Sequence, residues 1–327
     1  MSTISSTLGS RSLPKISTIS NGPLSYLQPY GTLFFVSSII ILVILCNILE
    51  RWLLRALYGS IYMNLQAPGN EKQRRSFTHY HVGAMNMIFV LCIGFYPVME
   101  FIAGPAELST PMAAGSRVRV GDLLFIVAQA YPAYYTYELC YRTKFGSPIS
   151  IAHHVGLIAI MQTSLSLFNN WEKHPEASLE FYMCMVWGTF DAITELPVLI
   201  SLIIWRTRRN ESKLLAYLAG GLFVWMIVGS LTEVAVTAYL LHKSWDRWGT
   251  VWKFVTPFIF SLWTCTQLFG ASRLYSMSQS EWRKYKRGGV KDIEPVVDLH
   301  ESDCEKETAS LSTQGRSLGR TDNSNEV

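Results

Sequence analysis

The sequence predicts an all-α fold: a polytopic transmembrane helix bundle of about seven spans, with a lumenal N-terminus and a cytosolic C-terminus. Three observations predict it. Only 16% of the 327 residues are charged while 49% are apolar, whereas soluble globular chains carry about a quarter charged residues. The missing charge is absent from repeated stretches of about twenty residues, the length that crosses a hydrocarbon core of roughly 30 Å. Lys and Arg then crowd the ends of alternate stretches, the asymmetry that orients a multi-spanning chain.

Residues 1–32 read as a polar N-terminal tail, rich in Ser and Thr and lacking the early apolar core of a signal peptide. The first apolar run is therefore expected to act as a retained signal anchor. Spans are expected at 33–57, 82–103, 121–141, 149–168, 181–205, 214–241 and 252–275, within a bundle covering 33–276. The third is the most amphipathic, because it holds Tyr131, Tyr134, Tyr135 and Tyr137. Pro97, Pro132, Pro197 and Pro257 fall inside four spans and read as kinks. Neighbouring helices in a bundle can satisfy the carbonyls that proline frees. Trp52, Tyr80, Trp205, Tyr239, Trp252 and Tyr275 gather near span ends, as interfacial aromatics do. Residues 277–327 read as a disordered cytosolic tail, first basic (Arg283, Lys284, Lys286, Arg287, Lys291), then acidic and Ser-rich. Such a composition cannot bury enough apolar surface to offset its ordering entropy.

Charge excludes some function classes. A net charge of +4 is too small to argue for nucleic acid, and no zinc-finger or basic-helix pattern appears. The basic juxtamembrane tail suits anionic lipid headgroups instead. The six cysteines (Cys46, Cys92, Cys140, Cys184, Cys265, Cys304) are scattered without a CxxC pair, so neither a disulfide framework nor a metal site is expected. No GxSxG, HExxH, Walker loop or dinucleotide fingerprint is present.

Titratable groups within spans are costly and mark cavities or helix–helix contacts. Here they are Glu50, Glu100, Glu138, His153, His154, Asp191, Glu195 and Glu233. Ser147 and Pro148 read as N-cap and first helical residue. At 1.5 Å per residue, His153 and His154 then lie roughly 8–9 Å in from the cytosolic end, Glu138 roughly 6 Å and Glu195 roughly 15 Å. Adjacent helical residues point about 100° apart, so one face carries only one of the two histidines. Asp191 and Glu195 share a face, and depth favours Glu195 as the histidines' partner. A carboxylate bonded to imidazole fixes its tautomer and raises its basicity. The plainer readings are structural. Glu138 with Arg142 is an i,i+4 interfacial pair, as Glu50 with Arg51 would be a local one. Glu100 and Glu233, placed in the opposite half, are helix–helix glue, and the tyrosine stripe and Trp187 are packing.

The stretch Tyr137-Glu138-Leu139-Cys140-Tyr141-Arg142, followed by Ser147-Pro148 and Ala152-His153-His154, resembles the TLC-domain family of ceramide synthases, translocation-associated membrane proteins and their relatives. The resemblance covers about residues 75–280. It implies a lipid-related helix bundle of the endoplasmic reticulum. The synthases' second motif, His-Asp-x-x-Asp, aligns with Phe190-Asp191-Ala192-Ile193-Thr194. Phe190 then replaces the histidine and Thr194 the second aspartate, while Thr194-Glu195-Leu196-Pro197 is similar to the non-synthase members.

The expectation is a TLC-like protein of lipid homeostasis that binds or senses a lipid in a cavity lined by His153, His154, Glu138, Asp191 and Glu195. Membrane lipids are its partners, no nucleic acid or resident cofactor is expected, and homo-oligomerisation stays open. A ceramide-synthase-like N-acyltransferase is the enzyme alternative, with acyl-CoA as substrate and His153, His154 and Asp191 as catalytic candidates. A seven-helix receptor is the third alternative, although the third span lacks the receptors' contiguous acidic-Arg-aromatic triplet.

Orientation yields the first prediction. Seventeen basic residues flank the cytosolic side: Arg51, Arg55, Lys72, Arg74, Arg75, Arg142, Lys144, Arg206, Arg208, Arg209, Lys213, Arg273, Arg283, Lys284, Lys286, Arg287 and Lys291. Eight (Arg11, Lys15, Arg117, Arg119, Lys173, Lys243, Arg247, Lys253) face the lumen. A C-terminal tag should therefore be digested by protease added to sealed microsomes, and Asn210 should carry no glycan. A protected tag would reverse the topology.

Overall fold

The computed structural model describes residues 14–142, 144 and 146–288. Seven long helices account for most of them: α1 (Gly31–Ile48, prolonged by a π-helical turn at Leu49–Leu53 and by Leu54–Tyr58), α2 (Glu71–Ile102), α3 (Val120–Arg142), α4 (Pro148–Leu167), α5 (Ala177–Thr207), α6 (Ser212–Ser244) and α7 (Trp252–Lys286). A short helix, Ser60–Leu65, links α1 to α2. Gly59 permits this reversal, since its φ of 49° is costly for a residue with a Cβ. Pro97, Pro132, Pro197 and Pro257 all lie inside continuous helices. Among the described residues the only extended pairing is the isolated bridge Pro111–Arg119.

Six of these helical segments are long and apolar enough to cross a membrane, which makes the chain a multi-pass helical membrane protein. The exception is α3, whose 23 residues reach about 35 Å. Its polarity has a structural cause. Tyr131, Tyr134, Tyr135 and Tyr137 are all buried, none more than 3% exposed, because α3 packs between α1, α2 and α4.

The helices close into a ring. α2 packs on α3 and α5, α3 on α4, α4 on α7, α7 on α6, and α6 on α5, while α1 lies outside against α3 and α2. α4 also touches α5 across the ring. At the start of α4, Ser147 caps the helix by accepting the Ser150 N–H at 3.2 Å, with Pro148 at the first helical position, as the sequence predicts.

Two expected boundaries change. The helix expected to end near 276 runs on to Lys286, because the extra turns pair with the start of α6. Trp282 meets Tyr217 with ring centroids 5.1 Å apart, and the Ser278 hydroxyl donates to the Ala216 carbonyl at 2.8 Å. The expected disordered tail therefore loses residues 277–286, and residues 289–327 lie outside the described ones.

The expected N-terminal tail is, from residue 14 onward, a packed segment laid over the C-terminal end of α2 and the neighbouring connections. Ile16, Ile19 and Leu24 are buried. The Lys15 ammonium donates to the carbonyls of Glu100 at 3.1 Å, Gly104 at 2.8 Å and Ala106, close to the end of α2. Cations are favoured at that end of a helix. Burial pulls the Lys15 amine below the ordinary lysine range, opposed by Glu107 and Glu100. Arg247 donates to the carbonyls of Ile16 at 2.8 Å and Ile19 at 2.7 Å, and Asn21 donates to that of Trp171 at 2.7 Å. The segment crosses the start of α3 at Gly121, where a Cβ would strike the Leu24 carbonyl and lie 2.9 Å from that of Leu108.

Gly121→Ala should therefore lower the thermal midpoint in detergent, with a destabilisation of about 2 kcal/mol or more, because backbone lies on both sides of the new methyl. An unchanged midpoint would show that the segment is not seated there.

Candidate functional site

The site is built on the inner faces of α2, α3, α4 and α5. Along α3, Tyr131, Tyr134, Tyr135 and Glu138 recur at i, i+3, i+4 and i+7, so helical periodicity puts them on one stripe. On α5, Asp191 and Glu195 are one turn apart. The Tyr135 hydroxyl lies 2.6 Å from Asp191 Oδ2 and 3.2 Å from Glu195 Oε2. It has one proton, and so serves one of these carboxyl groups at a time. The Tyr131 hydroxyl donates to the Gly188 carbonyl at 3.1 Å and lies 3.5 Å from Asp191 Oδ2.

A second group joins this one through the same tyrosine. The His154 ring packs on the Tyr135 ring with centroids 4.7 Å apart, and its Nε2 is 3.8 Å from Glu138 Oε2. Glu138 Oε1 lies 3.2 Å from His79 Nε2 and 3.1 Å from Arg142 Nη1. His79 stacks on Tyr134, with centroids 5.8 Å apart and planes 10° apart. His79, Glu138, His154 and Asp191 are all buried, and Glu195 is partly buried.

The neighbouring histidine faces elsewhere. His153 packs on the Trp263 ring at 4.4 Å, and its Nδ1 is 3.2 Å from the Thr266 hydroxyl. That hydroxyl also donates to the Trp263 carbonyl at 2.7 Å. With the hydroxyl proton so placed, His153 Nδ1 is the donor in its contact and Nε2 keeps its lone pair.

The structure thus brings His154, Glu138, Asp191 and Glu195 around Tyr135 and sends His153 to α7, the divergence expected of adjacent helical residues. Four readings are corrected. The carboxylate beside His154 is Glu138 rather than Glu195, because α3 lies next to α4 while Asp191 and Glu195 are taken by Tyr135. Glu138 is accordingly more than an interfacial partner of Arg142. Glu50 turns away from Arg51: it accepts from the Tyr141 hydroxyl at 2.6 Å and stands 3.8 Å from Arg74 Nε. Glu233 is level with Asp191 rather than in the opposite half. Trp187 donates to Thr237 at 3.0 Å, and a Cβ at Gly229 would lie 2.7 Å from Thr194 Cγ2, which together fix the α5–α6 register. Glu233 is 1% exposed, accepts from Gln267 at 2.7 Å, and leaves Oε1 without a partner among the described residues. Glu100 lies near the C-terminal end of α2, close to Lys15.

Sequence reasoning passed over His79 and the tyrosines. His79 lay before the expected start of its span, yet α2 begins at Glu71. The tyrosine stripe was visible in the spacing but read as packing, since the spacing does not reveal what faces it. Among the described residues no three His, Cys, Asp or Glu side chains converge as metal ligands.

Fold and site together define a multi-pass helical membrane protein with a titratable cluster enclosed by its helices. No protein-family model, curated protein or solved structure matches the chain.

The geometry makes Tyr135 the tie between α3 and α5. Tyr135→Phe should cost about 1–3 kcal/mol, because it strips a buried carboxyl group of its donor. In a double-mutant cycle with Asp191→Asn, thermal melting should show a coupling of about 1 kcal/mol or more. Strict additivity would mean that the contact is not formed.

Proposed function

We propose that this chain is a TLC-like integral membrane protein of lipid homeostasis that binds or senses a lipid in an intramembrane polar cavity. Under this reading α3 is the seventh crossing, the N-terminus is lumenal, the C-terminus is cytosolic and the membrane is that of the endoplasmic reticulum. The observation that carries the reading is the convergence of His154, Asp191 and Glu195 on Tyr135, inside a ring of apolar helices. Intramembrane titratable groups are expensive, and a fold that uses them only as glue has no need to gather them in one place. A lipid headgroup supplies the hydrogen-bonding partner that hydrocarbon cannot. The resemblance of residues 137–154 to the TLC-domain family points the same way. Phe190, standing where the synthases keep a histidine, favours binding over N-acyl transfer.

In a strain lacking the protein, His154→Ala and Glu195→Gln should accumulate near the normal level and fail to restore the wild-type lipid profile. Folding tolerates these changes because a buried group left without its partner can take up or release a proton and become neutral. Glu100→Gln, outside the cluster, should restore the profile and is the control. Full rescue by both cluster variants at normal abundance would reduce the cluster to packing.

A further inference from the structure

The polar cluster adjoins an apolar slot. It is bounded by α2, α3 and α5, with Met161 contributed by α4 and Tyr131 shared with the cluster. Along α2 it runs from Val90 to Met99, nine residue steps or about 14 Å of rise. Two of its lining residues, Tyr131 and Thr189, carry hydroxyls, and both are committed: Tyr131 to the Gly188 carbonyl at 3.1 Å and Thr189 to the Met185 carbonyl at 2.7 Å. The slot therefore offers hydrocarbon and no free hydroxyl, and at its Tyr131 end it meets the carboxyl group of Asp191.

Its mouth lies on the membrane-facing side of α2. Phe95 and Met99, both slot residues, are 57% and 40% exposed on a helix long and apolar enough to cross a membrane. The medium at the mouth is then bilayer hydrocarbon. Two glycines thin the wall there. Gly83 against Leu199, and Phe101 against Phe181, register α2 with α5 and put Gly94 level with Gly188. The two glycines differ in their surroundings. A Cβ at Gly94 would lie 3.0 Å from Val127 Cγ2, so that glycine serves close packing on α3. A Cβ at Gly188 would meet nothing within 4 Å, so that glycine leaves space open. An open glycine in mid-helix costs about 0.5–1 kcal/mol relative to alanine, which packing does not explain.

We infer that the α2–α5 seam is a lateral portal through which one alkyl chain of a membrane lipid enters from the bilayer, with Gly188 as the residue that keeps it open. The inference deepens the lipid-binding reading and rests on it. The chain lies along α2 with its polar end at Tyr131, beside Asp191, and its tail toward Met99. The class of ligand is thus a lipid drawn sideways from the leaflet, whose hydrocarbon part is held separately from its head.

The test uses the full chain in mild detergent with a defined probe, a long-chain alcohol carrying a diazirine on its alkyl chain. Irradiation should label wild type on the peptides that hold Met161 and Met185. Gly188→Leu should cut that labelling at least fivefold while melting no earlier than wild type, since leucine is the better helix former. Gly188→Ala, adding one methyl, should fall between them. Labelling unaffected by Gly188→Leu, or confined to the outer face of α1, would overturn the portal. The two readings fail separately. If Gly188→Leu blocks labelling while His154→Ala and Glu195→Gln restore the lipid profile, the portal stands and the role of the cluster falls. If those two variants lose function while the slot is never labelled, the cluster stands and the portal falls.

Discussion

Hydrocarbon offers a buried polar group no partner, so each hydroxyl, imidazole and carboxyl placed among membrane-spanning helices must find one in the protein. The interior of this bundle is arranged around that constraint. Tyr135 stands between three groups: its one hydroxyl proton serves Asp191 or Glu195, and its ring packs against that of His154. These contacts tie α3, α4 and α5 together at one level, although α3 and α5 are not adjacent in the ring of helices. α3, the one long helix not apolar enough by composition to count as a crossing, is also the most enclosed.

The same constraint governs the ends of the bundle, with different chemistry. At the end of the bundle where α2 finishes, carbonyls of α2 and of the connections between helices accept from residues 14–30, and that segment's own carbonyls accept from Arg247. Lys15, Asn21 and Arg247 all bond backbone carbonyls rather than carboxylates. The segment therefore acts as a cap, held by Ile16, Ile19 and Leu24 beneath it. At the other side the Trp282–Tyr217 contact carries α7 past its apolar stretch. Aromatic side chains with an apolar body and a polar edge suit that depth of a bilayer.

Small residues matter here through what they leave out. Gly121 lets backbone pass over backbone, Gly94 lets α2 approach α3, and Gly188 leaves space beside Tyr131. The first two are packing requirements, and a side chain there meets atoms. The third borders the apolar slot that adjoins the polar cluster at Tyr131.

The sequence by itself determined that the chain is a bundle of membrane-spanning helices, since run length and the absence of charge suffice for that. It also determined the start of α4, where Ser147 and Pro148 act locally, and the divergence of His153 from His154, which follows from helical geometry alone. Pairings across helices were left to the tertiary structure. Depth estimates put Glu195 beside the histidines and Glu233 far away, yet depth says nothing of which helices are neighbours, and span ends were misjudged by up to eleven residues for α2 and α7. Only the closed ring places Glu138 against His79 and His154 and sets Asp191 level with Glu233. Only the packed N-terminal segment makes a cap of what composition reads as a tail. The physical reason is that periodicity and hydropathy are local, whereas a buried hydrogen bond is decided by which faces meet.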